Sequence, residues 1–203
     1  MTELDAITQM LPGRLKPRDN IQIDSNLRQA AVALILRNHA DLAEILMIKR
    51  APNPNDYWSG HLALPGGRKQ ADDKDLLNTA TRETFEEVGI NLADGGKVLG
   101  RLDIITPRSQ RVPTISVTPF VAIAPPEYHS FSDQVEEREL NINHEVAAAF
   151  WIPVRFLKKE GRSDTVSHIV EDHKYEWMAY PSVYGPIWGL TERILTQFLS
   201  LVD

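Results

Sequence analysis

The residues best able to do chemistry in this chain are three closely spaced glutamates, Glu83, Glu86 and Glu87, followed by Gly89. The segment Asp75–Val88 is predicted to be helical. Spacings of three and four then place the three carboxylates on one side of the helix, about 6 Å apart at their Cβ atoms. Like charges held so close repel each other. Because Mg²⁺ prefers carboxylate oxygens and usually also binds substrate phosphates, the cluster predicts a site for a hard divalent cation.

The elements that position this cluster are the helix and the chain leading into it. A short strand is predicted at 61–64, followed by a loop at 65–67 whose glycines allow main-chain carbonyls to approach a ligand. Leu76, Leu77 and Ala80 supply the inward face of the helix, and the glycine after Val88 is a typical helix end.

Length and composition limit the class of protein that this chain can be. The chain has 203 residues, of which 42% are hydrophobic and 25% charged, which indicates one globular domain. The formal charge of −6 argues against an extensive nucleic-acid-binding surface, and the absence of cysteine excludes thiolate metal sites and cysteine nucleophiles. No apolar run approaches the roughly 20 residues of a membrane span, and the N-terminus lacks the pattern of a secretory signal. A cytoplasmic setting without a membrane anchor is therefore expected.

The rest of the chain alternates between strand and helix patterns. Residues 1–25 are predicted to be an N-terminal extension, either a lid, the arm of a homodimer or a surface-packed tail, and residues 26–203 a single domain. Pro119 predicts an edge strand or a bulge. Further strands are predicted at 29–36, 43–49, 97–105, 115–124 and 145–153, with a hairpin at 166–170 and 175–179. Further helices are predicted at 155–159 and 187–201.

The sequence RETFEEVGI at 82–90, preceded by Gly67, resembles the Nudix box, Gly-x5-Glu-x7-Arg-Glu-U-x-Glu-Glu-x-Gly-U, in which U is usually aliphatic. Six positions of its second half coincide, five fixed residues and the final aliphatic position at Ile90. The resemblance implies an α/β (α+β) fold, an α/β/α sandwich with a mixed central sheet. It also implies a metal-dependent hydrolase that cleaves a diphosphate linkage.

The first half of the box departs from the pattern. There are 14 residues between Gly67 and Arg82, one more than the pattern has. The early glutamate is also missing, so that Asp72 or Asp73 must substitute for it or its role is lost. Aspartates at the start of a helix also have a purely structural use, because they cap free N–H groups.

The resemblance implies roles for the matched residues. Glu83, Glu86 and Glu87 would ligate Mg²⁺ or Mn²⁺, with a carbonyl at Gly67 as a further ligand. Arg82 would form an ion pair that orients the carboxylates.

The general base stays open, because in the family it is a box glutamate or one from a later loop. Glu145 is included among the catalytic candidates, and a structural salt bridge is its alternative role. The candidates for the base are Glu87, Glu136, Glu137, Glu139 and Glu145.

The flanks of the box are similar to the coenzyme A diphosphatase branch, at Arg50-Ala51, at Leu64-Pro-Gly-Gly67 and at Ile187–Thr191. The leading substrate is therefore coenzyme A or a coenzyme A-like nucleotide, with ADP-ribose, nucleotide sugars and dinucleoside polyphosphates as alternatives. Two other classes are a nucleotide-sensing module without turnover and a partner-binding protein whose acidic helix is a solvated face. The candidate substrate contacts are Arg50, Tyr57, Trp58, Arg68 and Arg108.

Overall fold

The computed structural model describes residues 1–19, 21, 27–56, 58–107, 114–130, 139–170 and 173–203. In these ranges the helices are α1 (Glu3–Met10), α2 (Leu76–Val88), α3 (Val154–Glu160) and α4 (Gly189–Leu201), with a 3-10 turn at Pro126–Tyr128. The strands are β1 (Arg28–His39), β2 (Leu42–Arg50), β3 (Leu62–Ala63), β4 (Gly66–Arg68), β5 (Lys97–Arg101), β6 (Ile115–Ile123), β7 (Val146–Pro153), β8 (Asp164–Val170) and β9 (His173–Ala179).

Seven of these strands form one mixed sheet. Its order is β3-β2-β1-β6-β5, with β4 paired to β1 and β7 paired to β2. The β1–β6 pair is parallel, and the other pairs are antiparallel. Strands β8 and β9 form a separate hairpin. The mixed central sheet is confirmed.

Both faces of the sheet are buried, which explains the uninterrupted apolar runs of β1 and β2. On one face, Ile35 packs in a cluster with Leu76 and other residues of α2. On the other face, the neighbouring Leu34 packs with residues of α1, α3 and α4, including Phe198. Because successive side chains of a strand point to opposite faces, the two clusters lie on opposite sides of the sheet. The predicted α/β/α sandwich is confirmed.

The β1–β2 turn and the two ends of helix α2 are determined by residues close to them in the sequence. Ala40 and Asp41 have positive φ angles of 45° and 68° and close the β1–β2 hairpin. The Asp75 side chain accepts a hydrogen bond from the Asn78 N–H and caps α2, and Gly89 ends the helix in the left-handed region at φ 76°. The predicted helix is therefore confirmed, with Asp75 as its N-cap.

The two glycines before the box are not in a loop. They belong to β4, which pairs with β1 through Val32↔Gly66 and Ala31↔Gly67, so the predicted loop at 65–67 is wrong. The reason is close packing: a Cβ on Gly66 would lie 2.3 Å from the Ala31 carbonyl oxygen. Glycine is what allows β4 to approach β1 so closely.

Pro119 lies in β6, between β1 and β5, and so it marks neither an edge strand nor a bulge of its own, contrary to the prediction. The β5 ladder stops beside it, because its last pair is Arg101↔Phe120. The strand predicted at 97–105 therefore ends at Arg101, and Ile105 makes only an isolated bridge. The proline nitrogen has no hydrogen to donate, and Pro119 lies just beyond the last regular pair between β5 and β6.

The N-terminal helix α1 packs against the domain core. Leu4, Ile7 and Leu11 are buried in the same cluster as α3 and α4. The Glu3 carboxylate accepts a hydrogen bond from the Ala43 N–H at 2.8 Å, which ties the helix to β2. The boundary of the extension at residue 25 stays a prediction. Within the described ranges, no helix has the length and apolar character needed to cross a bilayer.

Replacing Thr2 by Ala is expected to lower the free energy of unfolding by about 1 kcal/mol. The Thr2 hydroxyl accepts from the Asp5 N–H and the Asp5 carboxylate accepts from the Thr2 N–H, so the substitution removes one half of this reciprocal cap. Urea denaturation would measure the loss. The control is Thr8→Ala, since that hydroxyl bonds only to the Asp5 carbonyl of its own helix. Equal midpoints for wild type and Thr2→Ala would contradict the assignment.

Candidate active site

Two of the three box glutamates turn inward toward β4, and the third turns outward. Glu87 is 1% exposed, and its Oε2 accepts a hydrogen bond from the Gly66 N–H at 2.8 Å. The side chain of Glu83 is 13% exposed, whereas that of Glu86 is 50% exposed. Helix α2 thus presents the sheltered carboxylates of Glu83 and Glu87 to β4, whereas the carboxylate of Glu86 faces solvent.

Gly67 makes room for the Glu83 carboxylate. A Cβ built on Gly67 would lie 2.3 to 2.6 Å from the three carboxyl atoms of Glu83, closer than nonbonded atoms can approach. The absence of a side chain at Gly67 therefore allows the Glu83 carboxylate to rest directly on the β4 backbone. The sequence pattern marked this glycine as a ligand through its carbonyl. The structure shows a second reason for glycine at this position.

Replacing Gly67 by Ala is expected to lower hydrolytic activity and metal affinity by about 10- to 100-fold, because the new methyl group would displace the Glu83 carboxylate. The neighbouring Gly66→Ala supplies a contrast. Its Cβ would meet the backbone of Ala31 and Val32, so we expect misfolding there. Circular dichroism and calorimetric titration with Mg²⁺ would separate the two effects. A fully active Gly67→Ala protein would refute the packing argument.

Arg82 connects the acidic residues of the box. Its guanidinium bonds both oxygens of Asp73 at 2.9 and 3.0 Å, and it pairs with Glu83 at 2.8 Å and Glu86 at 3.1 Å. Hydrogen bonding to Asp73 is the main cause that raises the pKa of Arg82 above its ordinary value, so the cation is permanent. Arg82 is thus held in place by a buried carboxylate and in turn fixes the two glutamates that flank it.

Of the two aspartates that could replace the missing early glutamate, Asp73 makes the ion pair. Its side chain is 2% exposed and also accepts from the Thr79 hydroxyl and the Gln70 N–H. Asp72 is exposed. The Arg82 guanidinium holds the pKa of Asp73 well below its usual range. Because five residues separate Gly67 from Asp73, as in the family pattern, the extra residue falls between Asp73 and Arg82.

Negative charge is not fully compensated on the inner side of the helix. The pKa of Glu87 is raised to about 8, chiefly by burial and also by the charges of Glu83 and Glu145, while the Gly66 N–H and Arg50 oppose the shift. Burial also raises the pKa of Glu83, which Arg82 opposes. Carboxylates that resist ionisation in this way gain stability when a cation binds between them.

The donor set fits a hard divalent cation, although the side chains are oriented toward Arg82. In the part of the chain that the structure describes, no three acidic or imidazole groups converge on one point that could hold a metal ion. The reason is that Arg82 engages both Glu83 and Glu86. A cation held by Glu83, Glu86, Glu87 and the Gly67 carbonyl would require these two glutamates to turn from Arg82. Oxygen donors of this kind suit Mg²⁺ or Mn²⁺.

Arg50 joins the site from β2. Its guanidinium bonds one Asp56 oxygen at 2.9 and 2.8 Å and lies 4.0 Å from Glu87 Oε1. Arg50 is one of the substrate contacts predicted from the sequence, whereas Asp56 is not among them. No local spacing pattern connects the two residues, and only the position of Asp56 in an otherwise uncharged proline-rich loop could have drawn attention to it.

Glu145 lies beside the site in the turn before β7. Its carbonyl accepts from the Ala51 N–H at 2.8 Å, its side chain is exposed, and its charge acts on both Glu83 and Glu87. Glu139 is also exposed.

The other candidates are placed as follows. Arg68 ends β4, and its carbonyl lies 3.4 Å from the Arg82 guanidinium. Trp58 packs against the cluster of Ala30, Ile115 and Val117. The remaining candidates lie outside the described residues: Tyr57, Arg108, Glu136 and Glu137.

An α/β/α sandwich with sheltered carboxylates where the glycine strand β4 meets helix α2 is the arrangement that the resemblance to the Nudix box predicts. The family model of the NUDIX domain matches residues 27–172. The chain belongs to this family and is a Nudix hydrolase.

A curated relative agrees with this assignment, and a solved structure agrees with the fold. An uncharacterized Nudix hydrolase, NudL of Cronobacter sakazakii, is 31% identical over 175 residues, which cover 85% of this chain and 81% of that protein. An uncharacterized protein of Schizosaccharomyces pombe is 38% identical over 116 residues, or 56% of this chain, but the match spans only 32% of that protein. The crystal structure of a Nudix hydrolase from Alicyclobacillus acidocaldarius superposes with a TM-score of 0.52 at 20% identity, covering 90% of this chain and 95% of that one.

Proposed function

We propose that the protein hydrolyses the diphosphate linkage of a nucleoside diphosphate derivative with the aid of Mg²⁺ or Mn²⁺. The observation that carries the proposal is the placement of two sheltered carboxylates, Glu83 and Glu87, against the glycine backbone of β4. Burial raises the pKa of both groups, so the site gains most from a ligand that brings positive charge. The Arg50 guanidinium, 4.0 Å from Glu87, adds a fixed cation at the edge of the same site.

The residues of the site have different roles in the proposed hydrolysis. A bound divalent cation neutralises charge on the phosphate oxygens and lowers the pKa of water. Glu83, Glu86 and Glu87 would hold that cation once Glu83 and Glu86 turn from Arg82, which is anchored on Asp73 and keeps both carboxylates beside the site. Arg50, braced by Asp56, is positioned to contact a phosphate oxygen.

Glu145 is our choice for the general base. A base must reach the attacking water, and Glu87 is less suited because it is buried and its Oε2 is already bonded to the Gly66 N–H. Glu145 is exposed, yet it is close enough to Glu83 and Glu87 for its charge to act on both. Its backbone is fixed to Ala51 and Asn143, and its side chain is exposed.

Replacing Glu145 by Gln is expected to lower kcat by about a hundredfold, since general base catalysis contributes 10²- to 10⁴-fold. The control is Glu160→Gln at the end of α3, outside the site, which should retain full activity. An unchanged kcat in Glu145→Gln would return the role of base to the other glutamates.

Coenzyme A or a coenzyme A-like nucleotide is the leading substrate, supported by the similarity of Arg50-Ala51, of Leu64–Gly67 and of Ile187–Thr191 to that branch. The test is an assay of coenzyme A, ADP-ribose, nucleotide sugars and dinucleoside polyphosphates with Mg²⁺ and with Mn²⁺. We expect the highest kcat/KM with coenzyme A. Faster turnover of another compound would reassign the substrate, and no hydrolysis of any of them would overturn the proposed function.

A further inference from the structure

A row of four aromatic rings leads from the candidate active site to the β8–β9 hairpin. We call Tyr175, Trp177, Trp188 and His61 the aromatic row. The ring centroids of Tyr175 and Trp177 are 6.0 Å apart with an interplanar angle of 20°. Trp177 lies 5.5 Å from Trp188, and Trp188 lies 4.7 Å from His61. Three separate segments of the chain thus contribute to one continuous surface.

The near end of the row adjoins the carboxylates. The His61 carbonyl accepts a hydrogen bond from the Arg50 N–H at 3.0 Å, so these two residues are neighbours across the start of β3. The Arg50 side chain in turn lies 4.0 Å from Glu87. A substrate whose phosphates occupy the carboxylate site therefore has the aromatic row as an adjoining surface.

The far end of the row is open to solvent. Tyr175 is 47% exposed and Trp177 is 37% exposed, which is costly for rings of this size. The two side chains lie on the same face of β9, because positions two apart in a strand share a face. The opposite face carries the Lys174–Glu176 ion pair at 2.7 Å. Strand β9 therefore has one aromatic face and one charged face, and the aromatic face continues through Trp188 and His61 toward the active site.

We propose that the aromatic row binds the nucleobase of the substrate, with Tyr175 and Trp177 stacking on its flat surface while the diphosphate lies at Glu83 and Glu87. This inference rests on the proposed function and specifies the part of the substrate that lies outside the carboxylate site. Near-parallel exposed rings bind planar heterocycles by stacking, with little dependence on which base it is. The row thus selects for a purine or pyrimidine at the end of a diphosphate.

A second copy of the chain is the competing occupant. Its binding to the hairpin would bury the same exposed rings. The continuity of the row with Arg50 and Glu87 through His61 favours the nucleobase, because a surface for dimerisation has no need to reach the catalytic carboxylates.

The test measures binding without turnover. AMP and ADP-ribose are titrated calorimetrically in EDTA into wild type, Trp177→Ala and Tyr175→Ala. We expect each substitution to weaken both ligands by about tenfold. Trp177→Phe keeps a stacking ring and should bind almost as wild type does. The matched control is Met178→Ala, which removes an exposed apolar side chain from the charged face of the same strand. Ribose 5-phosphate, which lacks the base, should bind all variants equally.

The following results would overturn the proposal that the aromatic row binds a nucleobase. Absence of AMP binding to wild type, or equal AMP affinity in Trp177→Ala and wild type, would overturn it. If sedimentation also shows a wild-type dimer that Trp177→Ala dissociates, the row belongs to a second copy. Should Trp177→Ala fail to fold, Tyr175→Ala and Trp177→Phe decide the question. Because these titrations contain no metal, loss of hydrolysis across the substrate panel would reject the proposed function without affecting the AMP result.

Discussion

Replacing Glu87 by Gln is expected to lower kcat by about a thousandfold while the fold is retained. Loss of a cation ligand removes several kcal/mol of transition-state stabilisation, and each 1.36 kcal/mol is a factor of ten in rate. Glutamine has the same shape as glutamate, and its amide oxygen can still accept the Gly66 N–H hydrogen bond. The substitution therefore removes charge and leaves the packing in place.

The measurement is steady-state kinetics with the best substrate of the panel, together with calorimetric titration of Mg²⁺ or Mn²⁺. Glu160→Gln is the control, because Glu160 ends α3 and lies outside the site. We expect full activity from the control and a weaker affinity for the cation in Glu87→Gln. Activity within threefold of wild type would show that Glu87 is not a ligand.

The same substitution has a pH-dependent effect on stability. In EDTA, burial raises the pKa of Glu87 from 4.5 to about 8, so the folded state keeps a proton that the unfolded state loses between these pH values. Stability must then fall as pH rises through this window, by on the order of 3 to 5 kcal/mol. Glu87→Gln cannot ionise, and its urea midpoint should show little of this fall. Parallel pH profiles for the two proteins would contradict the assignment.

The site could be predicted from the sequence where its determinants are local. The spacing of Glu83, Glu86 and Glu87 and the caps at Asp75 and Gly89 belong to one helix and its ends, so the sequence alone is sufficient to place them. The choice between Asp72 and Asp73 could not be made in the same way. It depends on a turn, closed by the hydrogen bond from the Asp73 N–H to the Gln70 carbonyl, which directs one aspartate inward.

Features that join distant segments could not be read from local patterns. Pro119 was assigned to an edge or a bulge because the sequence does not reveal that β6 pairs with β1 in parallel and with β5 only as far as Phe120. The glycines of β4 were assigned to a loop for a similar reason, since their close contact with β1 is a property of the sheet. The aromatic row likewise exists only after the hairpin, β3 and the start of α4 have packed together.

Replacing Asp73 by Ala is expected to destabilise the protein by about 3 kcal/mol and to lower kcat by about 10- to 100-fold. Removal of one member of a buried ion pair costs about 3 to 5 kcal/mol, because the remaining charge is left without its partner. The lower value applies here, since Arg82 is 21% exposed and keeps its contacts with Glu83 and Glu86. Activity should fall because Arg82, released from its anchor, no longer keeps those two glutamates beside the cation site.

Asp72→Ala is the matched control, because Asp72 is adjacent in sequence but exposed, and we expect wild-type stability and activity from it. The pH dependence separates charge from packing. The Arg82 guanidinium lowers the pKa of Asp73 in the folded state, so its contribution is fully present above the ordinary aspartate pKa of 3.8 and is lost as pH falls toward the folded-state value. The stability difference between wild type and Asp73→Ala, measured by urea denaturation, should therefore shrink below about pH 4. A difference that stays constant down to pH 2 would mean that Asp73 acts through its volume and its neutral hydrogen bonds, and that Arg82 does not depend on it for its position.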